Sequence, residues 1–202
     1  MPQGQVTSVP ADGMTTRQRR TQPVLAVHTG DGKGKSTAAF GMALRAWSAG
    51  WPIGVFQFTK SPKWKVGEEA ALRALGTVHE TTGQGGPVTW HRMGEGWSWL
   101  RTQPEEHERA ALAGWEQVRR DLAAATYRLL ILDEFTYPVS NGTLDAAEVV
   151  AVLAARPGIQ HVVITGRRAH PALIGAADLV TEMTKIRHPM DAGRKGQAGI
   201  EW

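Results

Sequence analysis

The sequence predicts an α/β fold of three layers, in which helices cover both faces of a mostly parallel central sheet. From Pro23 onward, short apolar runs alternate with longer helical stretches, a pattern typical of parallel strands joined by helices. The 202 residues, 42% of them hydrophobic, are enough to build one core of this kind. We therefore expect a single domain over residues 23–202.

Short apolar runs mark the expected strands, and helical spacing of apolar residues marks the expected helices. The strands are predicted at Val24–Thr29, Ile53–Phe58, Thr77–Thr81, Arg128–Phe135, His161–Gly166 and Leu179–Lys185. The helices are predicted at about Lys35–Ala49, Glu68–Leu75, Pro104–Ala125 and Leu144–Ala155, the last after a turn at Asn141–Gly142.

Residues 1–22 differ in composition from the rest of the chain. They are rich in Gly, Pro, Gln, Thr and Arg and contain almost no large apolar groups, so they cannot bury enough surface to offset the entropy of ordering. We predict a disordered leader, within which Met14 is an alternative start.

Charge and cysteine content exclude several classes of function. The net charge of +4 comes from the two ends, since residues 1–22 and residues 185–202 each contribute +2 and the body between them is neutral. A basic groove for nucleic acid is therefore not expected. The chain has no cysteine, which excludes disulfides, thiolate zinc sites and cysteine-ligated iron–sulfur clusters. No secretion signal and no run of roughly twenty apolar residues is present, so we expect a cytoplasmic protein without a membrane partner.

Residues 59–101 interrupt the alternation of strands and helices. The interruption contains Gly83, Gly85, Gly86, Gly94, Gly96, Trp64, Trp90, Trp97 and Trp99. A long connection rich in glycine and aromatic residues inside an α/β domain is more often a binding loop than a linker. We expect it to bind a large flat ligand.

The first predicted strand runs into a glycine-rich loop and then into a helix that begins at Lys35. Glycines let backbone N–H groups surround phosphate oxygens, Lys35 can reach the distal phosphates, and the Ser36 hydroxyl can bind Mg²⁺. Thr29 stands where the general pattern has glycine, so this is a variant of the phosphate loop. We expect nucleotide contacts from Thr29, Gly30, Asp31, Gly32, Lys33, Gly34, Lys35, Ser36 and Thr37. The predicted fold is thus a P-loop NTPase-like three-layer sandwich.

A second element of the nucleotide site is the fourth predicted strand. Arg128–Phe135 is apolar until it delivers Asp133 and Glu134 at its carboxyl end. One carboxylate can hold Mg²⁺ directly or through water, and the other can orient the site. Together with the phosphate loop, this strand predicts an ATP–Mg²⁺ site.

From Val24 to Trp202, the chain resembles the cob(I)yrinic acid a,c-diamide adenosyltransferase family, which are ATP:corrinoid adenosyltransferases. The resemblance rests on ordered landmarks at Thr29–Gly41, Val55–Lys60, Gly96–Trp99, Leu132–Tyr137, Ala155–Gly158, Val163–Arg167 and His188–Trp202. The sequence departs from the family pattern at Lys60–Gly67, at Thr82–Met93 and at Met190, where an aromatic residue is expected. These departures bear on loop geometry and corrinoid preference.

The resemblance implies transfer of the 5′-deoxyadenosyl group of ATP to the Co(I) centre of a reduced corrinoid, with release of triphosphate, in adenosylcobalamin biosynthesis and corrinoid salvage. Lys35, Lys33 and Glu134 would be the catalytic residues, although Lys33 could equally be a solvated loop lysine. Ser36 and Glu134 would contact the metal. Asp133 would either contact the metal as well or support these ligands without contacting it. The metal would be Mg²⁺, for which Mn²⁺ could substitute.

The resemblance also implies the other participants in the reaction. Trp97 and Trp99 match an aromatic pair near the lower face of the corrin, where they would exclude the lower axial ligand and make cobalt easier to reduce. The corrinoid would be cobalamin, cobinamide or cobyrinic acid a,c-diamide. The resemblance also suggests a homodimer. Because the chain has no cysteine and no recognisable flavin fingerprint, we expect an external electron donor such as a reduced flavoprotein.

Three other functions have the same sequence signals. A P-loop ATPase or small-molecule kinase would release ADP or phosphate, whereas triphosphate as the product would exclude it. A nucleic-acid-stimulated ATPase would need a basic stripe, which the neutral body does not favour. A regulatory nucleotide binder would hold ATP without turnover. The seven histidines show no metal-ligand spacing. His28, His79, His107 and His161 are expected to be structural or surface residues, and the roles of His91 and His188 are left open.

Overall fold

The computed structural model describes residues 12–58, 66–93 and 104–201. Its sheet has six parallel strands in the order β3-β2-β4-β5-β1-β6. The strands are β1 (Leu25–Thr29), β2 (Ile53–Gln57), β3 (Val88–Arg92), β4 (Leu129–Asp133), β5 (His161–Thr165) and β6 (Leu179–Glu182). The helices are α1 (Thr16–Arg20), α2 (Lys35–Ser48), α3 (Gly67–Thr82), α4 (Pro104–Ala123), α5 (Thr136–Ser140), α6 (Ala146–Ala154) and α7 (Pro171–Ala176), and a 3₁₀ turn follows at Pro189–Ala192. The predicted α/β fold is confirmed.

Alternating side chains of the central strands pack on the two faces of the sheet, because successive residues of a strand point to opposite sides. Leu130 and Leu132 pack in the core cluster that contains the apolar residues of α4, α6 and α7. Leu129 and Ile131 pack in the other cluster, with the apolar residues of α2 and α3. The central strands β1, β2 and β4 are buried along their whole length. The result is the three-layer arrangement that the sequence predicts.

The predicted strand Thr77–Thr81 is wrong, because these residues form the last turns of helix α3. Their β-branched side chains favour a strand, but tertiary packing outweighs this preference. Leu72 and Gly76 are buried one turn apart on the same helix face, and Gly76 lies against Val88. Gly83 then ends the helix in the left-handed conformation, with φ of 73°.

The strand missing from the prediction is β3, which lies inside the segment 59–101 that was interpreted as one binding loop. The predicted helix Glu68–Leu75 falls within α3, and β3 follows it, so the expected binding loop is wrong for residues 67–82 and 88–92, which are helix and strand. Only residue 90 of β3 is buried, since β3 is at the edge of the sheet and its remaining side chains are partly or fully exposed. The continuous apolar run that marks a strand buried on both faces is therefore absent from its sequence.

Helix α1 lies in the segment for which no order was predicted. Thr15 caps it, accepting a hydrogen bond from the backbone of Gln18, whose side chain bonds back to Thr15. None of its residues is buried, in keeping with the lack of large apolar groups. Among the described residues, no helix combines the length and the apolar character that crossing a membrane requires.

Two glycines inside helices α2 and α4 provide a matched test of how closely these helices pack. An added Cβ at Gly41 in α2 would meet nothing within 4 Å, whereas at Gly114 in α4 it would lie 2.8 Å from the Cβ of Met93 and 3.1 Å from the ring of Phe58. Replacing a helical glycine by alanine gains about 1 kcal/mol where space allows. We expect Gly41→Ala to stabilise the fold by about that amount, and Gly114→Ala to destabilise it by about 1–3 kcal/mol through overpacking.

Urea unfolding of the two variants and the wild-type protein measures both changes. Equal stabilisation by the two substitutions would contradict the packing of α4 against the ends of β2 and β3.

Candidate nucleotide and corrinoid site

The loop between β1 and α2 packs closely on the backbone that follows β6. The backbone N–H of Gly32 donates to the carbonyl oxygen of Met183 at 2.6 Å. A Cβ at Gly30 would lie 2.5 Å from that oxygen, and a Cβ at Gly32 would lie 2.7 Å from it. Gly30 also has a φ of 96°, which disfavours other residues. Both glycines are therefore needed for the loop to reach this position.

Lys35 is the cation at the centre of this loop. Its side chain folds back so that Nζ donates to the carbonyl oxygens of Gly30 at 2.8 Å and Gly32 at 2.6 Å, and the residue is only 8% exposed. Burial lowers the pKa of Lys35, and the negative charge of Glu134 partly offsets that effect. The ammonium group is thus in a desolvated setting at the start of a helix, where anions are favoured.

The two acidic residues at the carboxyl end of β4, Asp133 and Glu134, have different environments. Asp133 is fully buried, and its two carboxylate oxygens accept hydrogen bonds from the Thr165 hydroxyl at 2.8 Å and the Gln57 amide at 3.1 Å. Glu134 has a left-handed backbone with φ of 59°, and its N–H donates to the Thr165 hydroxyl at 3.0 Å. Asp133 is therefore held by protein donors, while Glu134 acts electrostatically on Lys35.

Arg167 and Tyr137 join the site without having been predicted as site residues. Arg167 forms an ion pair with Asp31 of the loop at 3.8 Å. Burial raises the pKa of Tyr137, the charge of Glu134 raises it further, and Arg167 opposes the change. These interactions bring a second cation and a phenol to the same edge of the sheet. Both residues lie within landmarks of the family resemblance, and this was the one signal in the sequence that could have identified them as site residues.

Lys33, the other lysine of the loop, forms an ion pair with Glu201 near the end of the chain. The Glu201 side chain is 12% exposed and the Lys33 side chain is 57% exposed. The hydrogen bond from Lys33 lowers the pKa of Glu201. The segment after β6 therefore contacts the loop twice, through Met183 and through Glu201.

Comparison with known proteins decides the family. The profile of the family described as ATP:corrinoid adenosyltransferase BtuR/CobO/CobP matches residues 21–202. The chain belongs to the ATP:corrinoid adenosyltransferase family. The members of this family are transferases, so the expected enzyme class is confirmed.

Individual relatives agree with this assignment. The chain is 41% identical over 192 residues to the corrinoid adenosyltransferase of Pseudomonas aeruginosa, covering 95% of this chain and 89% of the relative. It is 37% identical over 191 residues to corrinoid adenosyltransferase CobA of Salmonella typhimurium, covering 95% and 91%. A corrinoid adenosyltransferase of Sinorhizobium is 37% identical over 180 residues, covering 89% and 80%.

In this adenosyltransferase family member, the structure brings together most of the residues predicted for the nucleotide. The Thr29 hydroxyl accepts a hydrogen bond from the N–H of Ala169 at 3.1 Å, so it anchors the loop to the segment after β5. Gly34 precedes α2 as its N-cap residue, and Ser36 and Thr37 lie in the first turn of that helix. Trp97 and Trp99, predicted to contact the corrin, lie outside the described residues.

The two histidines without a default interpretation both have structural contacts. His91 lies 3.0 Å from the Tyr127 hydroxyl through Nε2 and stacks on Phe56, and burial lowers the pKa of His91. His188 is buried and accepts a hydrogen bond from the N–H of Met190 at 3.1 Å. Neither contact gives these residues a catalytic role.

The donor groups near the loop suit Mg²⁺ in character. The described residues contain no group of three or more His, Asp or Glu side chains that could hold a metal by themselves. Mg²⁺ at phosphate sites is usually held by one or two protein oxygens together with phosphate oxygens and water. The hydroxyl of Ser36 and the carboxylate of Glu134 are oxygen donors of this kind, and Glu134 is within electrostatic reach of Lys35.

The ion pair between Lys33 and Glu201 predicts a titration that can be measured. Because the Lys33 hydrogen bond lowers the pKa of Glu201, Lys33→Met should raise that pKa toward the ordinary value of a glutamate. Lys185 likewise lowers the pKa of Asp191, and it does so without Lys33, so Asp191 is an internal control.

Side-chain carboxyl NMR signals followed against pH in wild type and variant give both values. An unchanged pKa of Glu201 in Lys33→Met, or an equal shift of Asp191, would contradict the contact between the loop and the end of the chain.

Proposed function

We propose that this chain transfers the 5′-deoxyadenosyl group of ATP to the Co(I) centre of a reduced corrinoid and releases triphosphate, in adenosylcobalamin biosynthesis and corrinoid salvage. The observation that carries the proposal is the desolvated ammonium of Lys35 inside a glycine loop at a helix N-terminus. Such a cradle suits a highly charged phosphate chain. Because the chain belongs to a family of corrinoid adenosyltransferases, we propose a corrinoid as the acceptor.

The proposed reaction is a displacement at the C5′ atom of ATP. The electron pair of Co(I) forms the Co–C5′ bond, the C5′–O bond breaks, and its electrons remain on the oxygen of the leaving triphosphate. Negative charge therefore grows on the phosphate chain in the transition state. Donors already aimed at that charge lower the barrier.

The residues of this chain supply those donors. The loop N–H groups, the N-terminal end of α2 and Lys35 would bind the triphosphate. Arg167 would add a further positive charge, since it lies beside Asp31 of the same loop. Lys33 would contribute after exchanging its contact with Glu201 for a phosphate oxygen. Lys35 and Lys33 are thus the proposed cations of the transition state, and Glu134 is the proposed acidic residue.

Ser36 and Glu134 are the residues that would hold Mg²⁺, or Mn²⁺ in its place. The bound metal would neutralise part of the triphosphate charge and orient it. Asp133 accepts hydrogen bonds from Gln57 and Thr165. We therefore propose that it supports the site from behind these ligands and does not contact the metal itself.

The other proposed participants follow from the family. Trp97 and Trp99 would pack against the lower face of a corrin from cobalamin, cobinamide or cobyrinic acid a,c-diamide. The reductant would be an external donor such as a reduced flavoprotein, because the chain has no cysteine for redox chemistry of its own. We also propose a homodimer in the cytoplasm.

The decisive assay mixes the protein with Mg-ATP and chemically reduced cob(I)alamin under anaerobic conditions. We expect the corrinoid spectrum to change to that of light-sensitive adenosylcobalamin, with one triphosphate released per corrinoid. An unchanged corrinoid accompanied by ADP or phosphate would refute the transferase and support a kinase or ATPase. Tight ATP binding without any product would support a regulatory binder.

Lys35 should dominate nucleotide binding. Replacing it by methionine keeps the length of the side chain and removes the charge, which should weaken Mg-ATP binding about 100-fold, as expected for loss of a charge-assisted contact in a desolvated site. Lys195→Met makes the same change at an exposed lysine and should alter the affinity less than about twofold. Isothermal titration calorimetry measures both affinities.

The same residue predicts a pH dependence. Burial lowers the pKa of Lys35, so it loses its proton at a lower pH than an exposed lysine does. Wild-type affinity for Mg-ATP should therefore fall as the pH rises through that pKa, and Lys35→Met should lack this decline. A decline that persists unchanged in Lys35→Met would assign it to another group.

A further inference from the structure

Gln57 and Thr165 are polar side chains with almost no exposure at the carboxyl ends of β2 and β5. Gln57 is 1% exposed and Thr165 is fully buried. These two strands lie on either side of β4, which ends at Asp133. Burial of a polar side chain is unfavourable unless its hydrogen bonds are made inside the protein. Gln57 and Thr165 must therefore have hydrogen-bond partners inside the protein.

Both side chains donate to the carboxylate of Asp133. Gln57 lies directly across from Asp133 in the register of β2 and β4, and its amide donates to one oxygen at 3.1 Å. The hydroxyl of Thr165 donates to the other oxygen at 2.8 Å. The register of three neighbouring strands thus fixes this carboxylate from both sides.

The hydroxyl of Thr165 has a second contact, with the backbone of Glu134. Because its proton is donated to Asp133, its oxygen accepts the N–H of Glu134 at 3.0 Å. Glu134 has φ of 59°, a left-handed conformation that is unfavourable for a residue with a Cβ atom. Such a conformation persists only where the surroundings hold it.

We propose that Thr165 is a positioning residue, which uses the fixed carboxylate of Asp133 to hold the backbone of Glu134 in its left-handed conformation and thereby directs the Glu134 carboxylate to the nucleotide. Gln57 completes the arrangement by fixing Asp133 from the other side. This inference rests on the proposed function, in which Glu134 acts at the nucleotide.

Neighbouring contacts indicate that the effect of Thr165 is local. The segment after β5 has its own hydrogen bonds, from the Thr136 hydroxyl to the carbonyl of Arg167 at 2.7 Å and from the Ser140 hydroxyl to the carbonyl of Arg168 at 2.6 Å. None of these involves the Thr165 hydroxyl. Removing that hydroxyl should therefore leave this segment in place.

Thr165→Val and Thr165→Ser form the matched pair for the test. Valine keeps the shape and lacks the hydroxyl, and serine keeps the hydroxyl. We expect Thr165→Val to lower kcat for adenosyl transfer between tenfold and a hundredfold, as for misplacement of a catalytic group. The KM for ATP should change less than about threefold, since Lys35 and the loop are intact. Thr165→Ser should restore kcat to within about threefold of wild type.

A double-mutant cycle tests whether Thr165 acts through Glu134. If it does, Thr165→Val should have little further effect on kcat in a Glu134→Gln background. Full additivity of the two losses, or a wild-type kcat for Thr165→Val, would overturn the proposal.

A measurement independent of activity completes the test. Hydrogen exchange of the Glu134 amide, followed by NMR, should be faster in Thr165→Val and return toward the wild-type rate in Thr165→Ser, because that amide donates to the hydroxyl. An unchanged rate in Thr165→Val would overturn the proposal. If wild type does not adenosylate cob(I)alamin, the proposed function fails, while this exchange rate still decides how Glu134 is held.

Gln57→Leu provides a second variant if Thr165→Val does not fold, which thermal unfolding would reveal. It removes the other donor to Asp133 and leaves the Thr165 hydroxyl in place. We expect a smaller loss of kcat, severalfold, that also disappears in the Glu134→Gln background. An equal loss of kcat with and without that background would overturn the proposal.

Discussion

All the strands of the described sheet run in the same direction, so their carboxyl ends lie along one edge. This constraint brings together the phosphate loop after β1, the acidic pair after β4 and Arg167 after β5, although these segments are far apart in sequence. Helices cover both faces, and the central strands are buried along their whole length, with their polar residues at the carboxyl ends. Polar side chains therefore gather at the strand ends and in the loops of this edge, where backbone groups and side chains can meet a ligand.

Within that edge, a backbone contact determines the electrostatics of the loop. Gly30 and Gly32 approach the backbone of Met183 too closely for any side chain at either position. The loop is thereby closed around Lys35, whose ammonium group donates to loop carbonyls and is largely shielded from water. A cation in a desolvated setting interacts more strongly with phosphate than one in water does. The segment after β6 thus helps to fix the conformation of the glycine loop.

The sequence was sufficient where local chemistry determines the structure. The glycine loop lies between a strand and a helix, β1 and α2, as predicted, and Asp133 and Glu134 lie at the carboxyl end of β4, as predicted. It was insufficient where distant packing decides, as for helix α3, in which burial of Leu72 and Gly76 outweighs the β-branched residues that follow. Gln57 and Thr165 were missed for the same reason, since their contacts with Asp133 exist only through the register of neighbouring strands.

The adjacency of Asp133 and Glu134 presents a geometric problem that the left-handed turn solves. Along β4, side chains alternate between the two faces, and Leu132 and Leu130 pack on the side of α4. Continued alternation would direct Glu134 to that side as well, away from the layer of α2, which begins with Lys35. The positive φ of Glu134 interrupts the alternation, and Phe135 then fills the apolar cluster against Phe58 and Trp115. One unfavourable backbone conformation thus lets the chain bury an aromatic ring and keep a carboxylate within electrostatic reach of Lys35.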